Sequence, residues 1–195
     1  MASTFSDDYE CFTFDRVIEE GDVLFEIKAC YESDNFRGNP QCASGIMMNM
    51  NSQCLVIDGD MFLFESRTNE ESTSPDGDAV IHFRPYKSDQ EKDCLAFAIY
   101  VKDCVVVCCE NGDKKEIKAK QLAEVPLSIN GTRHGAIFYQ HKIPGKSNLF
   151  TFESSLAPRW FLGFDYNESF DSWFLVLRKV EDEVDKMCEM EVQLY

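Results

Sequence analysis

Phe152-Glu153-Ser154-Ser155-Leu156-Ala157-Pro158-Arg159-Trp160-Phe161-Leu162 sets the pattern for the whole chain. An apolar run closes at Phe152, the segment Ser154, Ser155 and Pro158 interrupts it, and a second apolar run opens at Trp160, so the stretch reads as two short strands across a turn. Working outward, period-2 alternation recurs through most of the sequence, with almost nothing at the helical period. Strands are expected near Ile46–Met50, Cys54–Ile57, Met61–Glu65, Val80–Tyr86, Leu95–Val101, Cys104–Cys109, Lys114–Lys118, Ala136–Gln140, Leu149–Phe152, Trp160–Gly163, Trp173–Leu177 and Met187–Val192. Turn signals stand between them at Asp58-Gly59-Asp60, Pro75-Asp76-Gly77-Asp78, Asn111-Gly112-Asp113, Asn130-Gly131 and Pro144-Gly145. The class is all-β, and about twelve short strands suit a closed barrel or a sandwich. Grouped in fours they form three units of similar length, residues 46–86, 95–140 and 149–192. Equal thirds suggest a β-trefoil, but the units share no sequence identity, and spacing alone leaves the sandwich open.

Upstream, Cys11-Phe12-Thr13-Phe14 and Val23-Leu24-Phe25-Glu26-Ile27 flank Glu19-Glu20-Gly21-Asp22, the pattern of a β-hairpin. The break at Gly38-Asn39-Pro40 sets this hairpin apart from the strands that follow. The chain has 195 residues, 44% hydrophobic and 13% aromatic, enough for one core that needs neither disulfide nor metal. Its apolar runs are strand length, too short to span a membrane. The first eight residues lack the basic start and apolar stretch of a secretory signal, so synthesis in the cytoplasm is expected. Nine cysteines, an odd number lying mostly in apolar runs, fit a reduced compartment. The sequons at Asn130 and Asn167 are then expected to stay unmodified.

A net charge of −16 argues against nucleic acid, heparin and anionic membranes. Half of it lies in residues 1–34, which carry 10 acidic and 2 basic side chains. Enzyme chemistry is not visible. Gly145-Lys146-Ser147 imitates the end of a phosphate-binding loop, but Gln140 stands where its first glycine belongs. His82, His134 and His141 lack metal-ligand spacing, and Cys94, Cys104, Cys108 and Cys109 read as strand cysteines rather than zinc ligands. No metal, cofactor or catalytic residue is expected.

The stretch from Phe152 to Leu162 resembles the signature of the interleukin-1 family of cytokines: Phe-x-Ser, a small residue, Pro two positions on, then an aromatic-leucine pair. Where the family continues with a small residue and Thr, this chain has Gly163 and Phe164. Ile137-Phe138-Tyr139-Gln140 with Ile143-Pro144-Gly145, and Phe174 to Lys179 followed by Glu181-Asp182-Glu183, are similar to the interleukin-18 branch of that family. So are Asn49, Asn51, Gln53 and Leu55 to Asp58, then Leu63-Phe64-Glu65 and Cys109-Glu110-Asn111. The likeness runs from about Cys11 to Val192, including Glu10, Cys11 and Phe14, then Leu24, Phe25 and Ile27 leading to Glu32-Ser33-Asp34.

That resemblance implies a β-trefoil cytokine of residues 35–195 behind a propeptide of residues 1–34, and it sets aside the other trefoil classes. Sugar-binding trefoils repeat a Gln-x-Trp motif absent here, growth-factor trefoils are basic, and a protease inhibitor or another ligand of the same family is the alternative. It implies an inactive cytoplasmic precursor, matured by an inflammatory caspase of the caspase-1 type and secreted without a signal peptide. The cleavage site is Tyr31-Glu32-Ser33-Asp34, with Asn35 at P1′, because caspases seat the P1 aspartate in a basic pocket and inflammatory ones accept an aromatic at P4. The implied partners are the interleukin-18 receptor alpha and beta chains and a soluble binding protein, the ligand acting as a monomer and inducing interferon-gamma and NF-κB responses. By matching neighbours, Tyr86, Lys87, Leu95 and His141 align with receptor-contact positions. Finally, Asp182-Glu183-Val184-Asp185 has the form that executioner caspases prefer and reads either as an inactivating cleavage site or as a polar turn from Val180 to Lys186.

Overall fold

In a computed structural model of the chain, the described residues are 13–17, 23–26, 35–74, 77–87, 95–112, 114–121, 125–181 and 185–195. The hairpin expected near the N-terminus is present as β1 (Thr13–Val17) and β2 (Val23–Glu26), antiparallel and forming a sheet of their own. A short strand β3 (Asn35–Gly38) follows. Three sets of four come next: β4 (Ala43–Met48), β5 (Cys54–Asp58), β6 (Met61–Glu65) and β7 (Ile81–Lys87); then β8 (Leu95–Val101), β9 (Cys104–Asn111) and β10 (Lys114–Gln121) with, after a short β11 (Ser128–Asn130), β12 (Phe138–Lys142). The last set is β13 (Leu149–Ser154), β14 (Trp160–Asn167), β15 (Ser172–Lys179) and β16 (Met190–Leu194).

The pairings decide what spacing could not. β4 pairs with β7, β7 with β8, β8 with β12, β12 with β13, β13 with β16 and β16 with β4, which closes a ring of six strands. Each set contributes its first and last strand to that ring and folds its middle two into a hairpin: β5–β6, β9–β10 and β14–β15. The hairpins meet one another, β15 pairing with β6 through Trp173↔Phe64 and Phe174↔Leu63. Three such units around a closed barrel are a β-trefoil.

Alternation explains the apolar runs. In β8, Phe97, Ile99 and Val101 belong to the cluster inside the barrel, while Ala96, Ala98 and Tyr100 belong to a second cluster outside it. A strand covered on both faces therefore reads as continuous apolar sequence. The second cluster is roofed by Phe36 of β3 and by Val125 and Ile129 around β11.

Four expectations need correction. The segment 38–40 is not a boundary: Gly38 ends a strand of the main sheet, Asn39 is buried, and its Oδ1 accepts from the Gln41 amide at 2.9 Å. β3 and β11 were not expected, because three or four residues show no periodicity. The final strand starts at Met190, since Lys186–Cys188 form a turn of 3-10 helix capped by Asp185. A five-residue helix α1 (Asn69–Thr73) also interrupts the β-pattern, started by a capping box between Thr68 and Glu71.

Candidate functional site

Most of the quoted signature is structural. Ser155, buried after β13, donates through Oγ to the His134 carbonyl at 2.9 Å and accepts from the His134 amide at 3.1 Å, tying the third unit to the second. The Ser154 hydroxyl accepts from the Ala157 amide at 3.2 Å and shapes the turn. Arg159 closes that turn in the left-handed region, φ 67°. Its amide donates to Glu153 Oε1 at 2.6 Å, and its Nε donates to the Val180 carbonyl at 3.1 Å.

The four expected contact residues do not form one patch. Tyr86 is 2% exposed and lies in the second cluster, where its hydroxyl donates toward the carbonyls of Val125 and Pro126 at 3.3 and 3.0 Å. It offers no surface to a partner in this conformation. Gly38 crosses its ring so closely that an added Cβ would stand 2.7 Å from Tyr86 Cε1. Lys87 is half-buried at the end of β7, opposite Arg37 of β3, and Leu95 begins β8 opposite Gln140, packed against the barrel interior. With Tyr86 opposite Ala96, Lys87 and Leu95 flank the same end of the β7–β8 pair. His141 stands apart on β12, hydrogen-bonded through Nε2 to Glu153 Oε2 at 3.1 Å, its ring centroid 6.1 Å from that of Phe161. The hydrogen bond to His141 is the main reason the Glu153 carboxyl is held below its ordinary range.

Of the processing residues, Tyr31, Glu32, Ser33 and Asp34 lie outside the described residues, and Asn35 opens β3 opposite Asn130 of β11. At the second motif, Asp182, Glu183 and Val184 likewise lie outside, and Asp185 caps the 3-10 turn.

Among the described cysteines Cys54, Cys108 and Cys188 are buried and set up for packing, while Cys42 is exposed. Cys108 and Cys109 alternate between the barrel interior and the outer cluster, so neighbours in sequence face apart. Burial pushes the thiols of Cys54 and Cys108 up and that of Cys188 up to about 12, the reverse of what a nucleophile needs. Lys146, in the false phosphate-loop motif, donates to Glu189 Oε2 at 2.9 Å. Among the described residues no helix is long and apolar enough to cross a membrane.

A family model described as Interleukin-1 / 18 matches residues 74–190, spanning the quoted signature. The chain belongs to the interleukin-1/interleukin-18 family. Interleukin-18 of Mus musculus is 29% identical over 181 residues, covering 90% of either chain. Interleukin-18 of Felis catus is 30% identical over 166 residues, 83% of this chain and 82% of that one. The Gallus gallus protein is 33% identical over 144 residues, 71% and 72%. Among solved structures, chicken interleukin 1 beta superposes with a TM-score of 0.60 at 16% identity, over 81% of this chain and 99% of that chain. A chicken interleukin-1 hydrophobic cavity mutant does so at 0.63 with the same identity and coverage. At that identity the structural likeness supports the trefoil and nothing finer. Family membership makes the chain a cytokine, a signalling protein rather than an enzyme.

Proposed function

We propose that the chain is the precursor of an interleukin-18-type cytokine, silent until an inflammatory caspase of the caspase-1 type cuts after Asp34 and releases residues 35–195. The mature domain then engages the interleukin-18 receptor alpha and beta chains and is restrained by a soluble binding protein. The precursor is held in the cytoplasm and leaves the cell without a signal peptide. The observation that carries the reading is positional. β3 begins at Asn35, the residue after Asp34, and belongs to the trefoil sheet, so a cut there removes the hairpin sheet and leaves every strand of the trefoil in place. The propeptide also takes half of the net charge with it. Lys87, Leu95 and His141 are the contact candidates with solvent-reachable surface, and Tyr86 is turned to the outer cluster.

The test is to incubate the full chain with an inflammatory caspase, sequence the N-terminus of the product, and apply it to cells bearing the two receptor chains. A product beginning at Asn35 that activates those cells, and loss of both effects in Asp34→Ala, is the expected result. A mature product beginning elsewhere would sink the assignment, and full-length Asp34→Ala binding receptor as tightly as residues 35–195 would sink the silent-precursor half of it.

A further inference from the structure

We infer that β3 is a strap across the processing bond: Asn35–Gly38 has to leave both neighbouring strands before a protease can engage the amide between Asp34 and Asn35. The inference rests on the processing reading above and adds how its rate is controlled.

Proteases hold substrates as extended segments paired along one backbone edge of the cleft. The residues following Asp34 are extended, but one edge is taken from Asn35 to Arg37 and the other at Arg37 and Gly38. On one side β3 pairs with β11 through Asn35↔Asn130, Phe36↔Ile129 and Arg37↔Ser128. On the other it pairs with β7 through Arg37↔Lys87 and Gly38↔Tyr86. The Gly38 amide donates to the Leu127 carbonyl at 2.6 Å and the Asn39 amide to the Pro85 carbonyl at 2.9 Å. Phe36, which falls at P2′, is 1% exposed, with its ring centroid 6.1 Å from that of Tyr139. The folded state thus withholds the prime side of the bond.

Opening the strap does not require opening the barrel, because neither β3 nor β11 belongs to the six-stranded ring. β11 is three residues long and β3 four, the short peripheral kind of element that opens locally in a native protein. Cleavage then tracks the population of the open form when opening and closing are fast beside hydrolysis. In the open form water adds across the Asp34–Asn35 amide, its hydroxyl going to the Asp34 carbonyl carbon and its proton to the Asn35 nitrogen. The freed strand can pair again afterwards, so the mature N-terminus returns to β11.

The experiment compares kcat/KM of an inflammatory caspase on the full chain and on a synthetic peptide of residues 27–42. The peptide is expected to be cut at least about tenfold faster, since it carries no strap. Ile129→Ala, which leaves every protease subsite residue unchanged but takes the roof off Phe36, is expected to raise the full-chain rate by about tenfold or more toward that of the peptide. Phe36→Ala does the same in the full chain, with the same substitution in the peptide correcting for P2′ preference. A cooperative thermal melt shows that the variants are folded; if Ile129→Ala does not fold, Ile129→Val is used, with a rise of about threefold expected. Equal rates for wild-type chain and peptide, or variants that leave the full-chain rate unchanged, overturn the strap while processing after Asp34 stands. An uncut peptide overturns the processing reading and the strap together.

Discussion

Arg178 grips Asp185. Its Nε and Nη2 donate to Asp185 Oδ2 at 3.0 and 2.7 Å, the other carboxylate oxygen accepts from the Met187 amide at 3.0 Å, and the same guanidinium pairs with Asp165 on β14. The Met187 amide and then Arg178 hold the Asp185 carboxyl below its ordinary range.

A caspase cutting after Asp185 would need that carboxylate in its own basic pocket, and Lys186 at P1′ lies in the 3-10 turn. The folded fragment of residues 35–195 is therefore expected to resist an executioner caspase. Arg178→Met, which frees one side of Asp185, should speed the appearance of a C-terminal fragment starting at Lys186, and Asp185→Ala should abolish it. Mass spectrometry of timed digests reads both; rapid cutting of the unaltered fragment would show that the grip is no barrier. Asp185→Ala also removes the helix cap, so its Tm should fall by about 2–4 °C.

His134 is expected to make the domain acid-sensitive. Its Nδ1 accepts from the Ala136 amide at 3.2 Å, which requires that nitrogen to be unprotonated, and burial, helped by Lys120, lowers its pKa. A base whose folded pKa is depressed contributes full stability above its unfolded value of about 6.5 and loses it as pH falls below that point, because the unfolded chain binds the proton more readily. His134→Asn keeps an acceptor that cannot titrate. Its Tm is expected to fall less than the wild-type Tm between pH 7 and pH 5.5, and parallel curves would show that His134 plays no part.

Ser155 should behave as a stability residue. Removing its hydroxyl by Ser155→Ala leaves the half-buried His134 backbone groups without that partner, at a cost of about 1–2 kcal/mol. Urea unfolding of residues 35–195 measures the loss, and the folded variant should bind receptor with unchanged affinity.

Tyr86 and Lys87 should separate although they are adjacent. Tyr86→Phe removes a buried hydroxyl donor, costing about 1 kcal/mol of stability, and leaves receptor affinity unchanged. Lys87→Ala is expected to do the opposite, weakening binding at unchanged Tm. Surface plasmon resonance on the alpha receptor chain, with a melt of each variant, distinguishes the two effects. Equal affinity losses would overturn the separation.

What the sequence determined by itself was local and periodic: strands such as Met61–Glu65 and Leu95–Val101, the turn at Gly59, the N-terminal hairpin, and a family signature from Phe152 to Leu162. These follow from side-chain alternation and from backbone angles that particular residues favour, which neighbours in sequence specify. Only the tertiary structure decided the rest. That Leu95 faces the barrel and Tyr86 the outer cluster depends on what covers each strand, and a run apolar on both faces does not say which side is which. β3 and β11 exist because Phe36 and Ile129 meet over the second cluster, a contact between residues more than ninety positions apart that no periodicity in either segment announces. The same holds for Ser155 on His134: the motif is legible in sequence, but its reason is a long-range hydrogen bond that exists only once the three units have closed on one another.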